Sequence, residues 1–135
     1  MTDSLAQHAA DLFQISLTPA QLMQFAVYAR ELVAWNEKIN LTAITSPEGI
    51  EVRHFLDSLS VVRGARPKAG SRVIDVGTGA GFPGLPLKIA FPDIELTLLE
   101  ATGKKLTFLD EVAKAMGLTG VRTLHARAEE AGHMS

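Results

Sequence analysis

Six residues between positions 75 and 100 could do chemistry together. Asp75 lies near the end of the β-branched run "RVIDV", and Gly77, Gly79, Gly81 and Gly84 follow it in "DVGTGAGFPG". Glu100 closes the next apolar run, 21 residues beyond Gly79. A strand, a glycine turn and a helix together let a ligand approach backbone N–H groups and a helix N-terminus. Gly79, Gly81 and Gly84 match G-x-G-x-x-G literally, and an acid about 20 residues further on is where a dinucleotide fold keeps its ribose partner.

The neighbours of those glycines argue against a dinucleotide. Asp75 stands two residues before Gly77, where its charge opposes a pyrophosphate. Glycines at 77, 79 and 81 make a wider turn than the tight dinucleotide one. Phe82 and Pro83 occupy the helix start, and proline lacks the N–H that a phosphate would use. A cationic ligand with an adenosyl end suits these residues better. S-adenosylmethionine carries a sulfonium and an amino group but no phosphate. Asp75 would favour its charge, the glycines would let its methionine part lie on the backbone, and Glu100 would accept the ribose hydroxyls. The residues favour this ligand over a nicotinamide or flavin. A turn serving only a tight strand–helix connection stays open as the bland alternative.

The elements that must position these residues fall into two compositional parts. Residues 1–63 carry helical periodicity. "LTPAQLMQFAVYARELVAWNEKIN" starts with Thr18 as N-cap, Pro19 at the first helical position and Gln21 placed for a capping box. Its apolar stripe runs Leu22, Phe25, Ala26, Ala29, Leu32, Val33. Ser46 and Pro47 repeat the start signal, with Ile50, Phe55, Leu59 and Val62 on one side of the helix that follows. Residues 64–70, within "RGARPKAG", read as a linker. From 71 to 135 strands and helices alternate. "RVIDV" reads as a buried strand, "GLPLKIAF" as a short helix and "DIELTLLE" as a second strand. "GKKLTFLDEVAKAMG" reads as a helix with Leu106, Leu109, Val112 and Met116 inward and Gly117 as its cap, and "VRTLHA" as a third strand. Such alternation predicts an α/β fold with parallel pairing and right-handed crossovers. An open sheet of this kind usually has more strands, so a fragment is expected.

Composition sets the broad class. The 135 residues are 47% hydrophobic and 21% charged, an ordinary globular balance. No apolar run approaches the roughly 18 residues of a membrane span, and "MTDSLAQHAADLF" lacks the pattern of a secretory signal. With no cysteine, disulfides, thiolate zinc and thiol catalysis are excluded. A cytoplasmic protein is expected. The net charge of −2 offers no basic excess for nucleic acid.

Five motifs in one order carry a resemblance: "WNEKINLTAIT" (35–45), "RHFLDSL" (53–59), "DVGTGAGFPGLPLKI" (75–89), "LLEATGKKLTFL" (98–109) and "ARAEE" (126–130). Together they resemble the bacterial small-subunit ribosomal RNA guanine-N7 methyltransferases, the glucose-inhibited division protein B family, over about residues 15–130. The resemblance implies a class I S-adenosylmethionine-dependent methyltransferase (Rossmann-like) sheet with a helical N-terminal extension. It implies S-adenosylmethionine as methyl donor and small-subunit ribosomal RNA or the ribosomal particle as acceptor; a monomer is favoured. By motif, Gly77, Thr78 and Gly79 are the cofactor turn, Phe82 an apolar cofactor contact, Glu100 the ribose acid, and Ala128 with Glu129 the pair beside adenine. Lys104 and Arg127 match basic positions facing the cleft and RNA. Asn40, Arg53 and His54 match positions of the extension near that cleft. The family chain continues through further strands and basic residues, so the sheet here is expected to be truncated after its third strand.

Guanine N7 carries no proton, so its methylation needs positioning rather than a general base, and no catalytic residue is assigned. His54 and Asp57, at i and i+3, could also form a simple surface pair. Trp35 reads as packing rather than a base platform. Lys104 and Lys105 at a helix start oppose its dipole, which suggests a duty beyond structure. Arg127 could instead pair locally with Glu129 or Glu130. His8, His125 and His133 lack ligand-like spacing, so no metal is predicted. The alternatives are a methyltransferase with another acceptor, a nicotinamide-binding oxidoreductase and a non-catalytic fragment.

Overall fold

Three short segments pair in parallel in the order β1 (Arg72–Val76), β2 (Glu95–Glu100), β3 (Val121–His125). This is a computed structural model, and it describes residues 2–126. Val73, Leu96 and Val121 stand in register, as do Asp75, Leu98 and Thr123, so these alternate residues share one face. Parallel strands need crossover connections, here α5 (Gly84–Ala90) and α6 (Gly103–Ala115). Helix α2 (Pro19–Asn36) rests on both α5 and α6, so both crossovers cover the same face. Leu96 and Leu98 are buried beneath them. The expectation of a buried first strand fails on the other face, where Ile74 is 64% and Val76 48% exposed. Among the described residues no crossover helix covers these two side chains, because both connections, α5 and α6, leave the sheet on the opposite side.

Helix α2 is fixed at its start by the expected capping box. Gln21 N–H donates to Thr18 Oγ1 at 3.1 Å, and Thr18 N–H donates to Gln21 Oε1 at 2.7 Å. The same Gln21 donates from Nε2 to Ile89 O at 2.9 Å, and Gln24 Nε2 donates to Met116 O at 3.0 Å. One helical turn of α2 therefore reaches the C-terminal carbonyls of α5 and α6, groups that have no partner within their own helices. The buried stripe of α2 is Phe25, Tyr28, Ala29 and Leu32. It includes Tyr28, absent from the expected stripe, and leaves out Val33, which is 37% exposed.

The rest of the helical part comprises α1 (Thr2–Phe13), α3 (Pro47–Gly49), a π-helix (Ile50–Leu56), α4 (Asp57–Leu59) and a 3-10 turn (Ser60–Arg63). Ser46 caps α3 by accepting Gly49 N–H at 3.0 Å. Ile50 and Phe55, both buried, are five residues apart, the spacing that the wider π turn brings to one side. Residues 64–70 are held to α1, since Arg66 donates to Phe13 O and Gln14 O, each at 2.9 Å. One hydrophobic cluster contains Leu5 and Phe13 together with Leu98 and Met116, so both compositional parts share a core. Helix α6 ends as its glycine suggests. Gly117 has φ +69, its N–H donates to Lys114 O, and Leu118 N–H donates to Ala113 O.

Gln21→Ala removes half of the capping box and the tie to α5 together. It is expected to lower stability by about 1–2 kcal/mol in urea denaturation.

Candidate functional site

Asp75 lies under the glycine turn, 9% exposed. A carboxylate taken out of water needs charge-assisted donors, and Oδ2 has two. Thr78 Oγ1 donates at 2.7 Å and Gly84 N at 3.0 Å. Burial pushes the Asp75 carboxyl above its usual range, and these two bonds pull the other way. Asp75 thus braces the turn at Thr78 and at the first residue of α5. A Cβ on Gly84 would lie 2.9 Å from Asp75 Oδ2 and 2.9 Å from Leu98 Cδ2, so Gly84 permits the close approach of helix to strand. Gly77, Gly79 and Gly81 instead supply the left-handed backbone, at φ +67, +60 and +99. Gly84→Ala is expected to cost about 1–3 kcal/mol by overpacking, read by chemical denaturation.

Glu100 faces the turn from the end of β2, 6% exposed. Its Oε1 accepts Gly79 N–H and its Oε2 accepts Thr102 N–H, each at 2.9 Å. One carboxylate therefore joins the turn to the start of α6. Gly77 N–H and Thr78 N–H both donate to Leu99 O, which sets the turn over the end of β2.

Phe82 meets the helical extension. The His54 ring stacks on it at 4.4 Å between centroids and 11° between planes, and the Tyr28 ring at 5.5 Å and 25°. Tyr28 Oη donates to Ala80 O at 2.6 Å. His54 Nε2 and Thr42 Oγ1 share a 2.8 Å hydrogen bond, and Asn36 Oδ1 accepts Leu41 N–H and Thr42 N–H at 2.8 and 2.9 Å. Burial lowers the His54 pKa; Asp57 opposes the shift and Arg53 adds to it. The folded chain disfavours the imidazolium, so the unfolded chain binds that proton more readily, and stability falls as pH drops through 6.5. His54→Phe keeps a ring against Phe82 without the titration. Melting midpoints at several pH values are expected to fall below pH 6.5 less steeply for this variant than for the native chain.

The remaining expected residues separate. Asn40 and Lys104 line one cleft together with Glu37, Lys38, Thr102 and Lys105. Thr102 is the residue whose N–H binds Glu100, so this cleft adjoins the turn. Arg53 is exposed on the π-helix. Arg127, Ala128 and Glu129 lie outside the described residues. Trp35 packs its edge on Phe108 of α6 at 5.9 Å, the packing role expected of it. Sequence reasoning missed Tyr28, Thr42 and Asn36. A signal existed for Tyr28, since a hydroxyl within an apolar stripe must find a partner. Ser4, His8 and Glu51 also cluster, but both oxygens approach the same His8 Nδ1, at 3.3 and 3.4 Å. A relay triad needs its acid and nucleophile on different ring nitrogens, so this cluster is not one.

A parallel strand running into a glycine turn and helix, faced by an acid from the next strand, defines an α/β protein, a class in which ligands bind outside the carboxyl ends of the strands. The chain belongs to the GidB family: the family model described as rRNA small subunit methyltransferase G matches residues 21–135. It is 48% identical over 130 residues to ribosomal RNA small subunit methyltransferase G of Caldanaerobacter subterraneus subsp. tengcongensis, covering 96% of this chain and 54% of that protein. It is 54% identical over 116 residues to the protein of the same name from Dehalococcoides mccartyi strain BAV1, covering 86% and 49%. The chain thus spans about half the length of these curated relatives. Among solved structures, coclaurine N-methyltransferase bound to N-methylheliamine and SAH aligns with a TM-score of 0.48 at 14% identity, over 93% of this chain and 43% of that one, a likeness too loose to carry an argument.

Proposed function

We propose that this chain forms the methyl-donor site of a methyltransferase that moves a methyl group from S-adenosylmethionine to N7 of a guanine in small-subunit ribosomal RNA. The observation that carries the donor is the occupation of the α5 N-terminus. Pro83 has no N–H, Gly84 N–H is committed to Asp75, and Leu85 N–H donates to Gly81 O at 2.8 Å. A pyrophosphate would find no free donor there, whereas a ligand without phosphate needs none. Two protein donors use two of the roughly four lone-pair sites on the Glu100 carboxylate, which leaves capacity for two ribose hydroxyls. Gly77, Thr78 and Gly79 present backbone to the methionine part, and Phe82 an apolar ring. Asp75 acts by holding the turn in shape. Ala128 and Glu129 are assigned beside the adenine from the family motif.

S-adenosylmethionine, when bound, supplies an electrophilic methyl on a sulfonium. Guanine N7 brings an exposed lone pair and releases no proton, so the chain's residues have to orient and desolvate rather than abstract. Family membership supports ribosomal RNA as the acceptor. Asn40, Lys104 and Lys105 in the cleft beside Thr102, Arg53 and His54 on the π-helix, and Arg127 are assigned to the RNA side. A monomer in the cytoplasm completes the proposal.

Calorimetric titration with S-adenosylhomocysteine, with NADH in parallel, tests the donor. The homocysteine compound is expected to bind and NADH not to, and Glu100→Ala is expected to weaken binding about tenfold or more. NADH binding without S-adenosylhomocysteine binding overturns the reading. Labelled methyl appearing in small-subunit RNA, and not in protein, is the outcome expected for the acceptor.

A further inference from the structure

We infer that Tyr28 is a positioning residue for the methyl-donor site, the point through which the helical extension sets the shape of the glycine turn. The inference rests on the donor reading above. Tyr28 is fully buried on α2, outside the strand–turn–helix unit, yet its hydroxyl reaches 52 residues along the chain to Ala80 O. Ala80 stands between Gly79 and Gly81, both at positive φ, so the bond ties α2 to the bend itself. Gly81 N–H and Phe82 N–H both donate to Thr78 O, closing the bend around that carbonyl. A Cβ on Gly81 would lie 2.5 Å from Tyr28 Oη, so the glycine admits the hydroxyl as well as the bend. The Tyr28 ring also stacks on Phe82, the residue assigned to the cofactor. Hydroxyl and ring thus act on adjoining parts of the turn. A buried phenol needs some acceptor, and here the acceptor is a carbonyl inside the turn.

Tyr28→Phe keeps the ring and removes the bond to Ala80. Titration with S-adenosylhomocysteine is expected to give a dissociation constant about two- to tenfold higher than for the native chain. The comparison uses Gln24→Ala, which cuts a tie between α2 and α6 away from the turn and is expected to bind as the native chain does. In hydrogen exchange without ligand, Gly81 and Phe82 amides of Tyr28→Phe are expected to exchange faster while Leu96 and Leu98 are unchanged. Unchanged affinity in Tyr28→Phe overturns the inference and leaves the donor reading standing, as does equal weakening in both variants. A native chain that binds no S-adenosylhomocysteine overturns both. Tyr28 is the sole tyrosine, so a 3-fluorotyrosine chain gives one fluorine resonance should Tyr28→Phe not fold. A shift of that resonance on saturation with S-adenosylhomocysteine supports the coupling, and a resonance that stays in place overturns it.

Discussion

A carboxylate buried at the end of a strand must collect donors, and the choice of donors at Asp75 fixes the site. One donor is a side chain inside the turn and the other is the first backbone N–H of the following helix. The turn cannot open without stripping a buried anion of a partner, a loss of about 1–3 kcal/mol or more for a charged group. The same choice commits the first N–H of α5 to the protein itself. One side chain thus braces the turn and ties it to the following helix.

Much of this architecture was legible in the sequence because the signals were local. The capping box at Thr18 and Gln21, the cap at Ser46, the Gly117 stop and the strand–helix alternation all depend on residues a few positions apart. Asp75, the glycines and Glu100 were marked by type and spacing. The burial of β1 was misread since an apolar, β-branched run does not tell which of its faces a crossover will cover. The π turn escaped although a step of five, Ile50 to Phe55, departs from the three and four of an α-helical stripe, because it was read together with the step of four to Leu59. Thr42 was illegible: its link to His54 follows from the Asn36 side chain ordering a loop, which periodicity does not encode.

Local reading also divided the chain at residues 64–70, whereas side chains cross that division repeatedly. Gln21, Gln24 and Tyr28 each bind a main-chain carbonyl beyond it, and His54 stacks on Phe82. The polar tips of α2 are spent on carbonyl groups that the α/β part cannot satisfy within itself. The helical extension is in this sense part of the cofactor turn's own support.

Those long-range ties bear on how the chain is made. Tyr28 waits for a partner 52 residues later, Gln21 for one 68 later and Gln24 for one 92 later. At a synthesis rate of about 5–20 residues per second, that is a delay of roughly 3–18 s. During it the polar ends of Gln21, Gln24 and Tyr28 lack the carbonyls they bind in the folded chain. Packing of α2 on Phe55 needs only the first half of the chain, whereas its docking on α5 and α6 has to wait for the second.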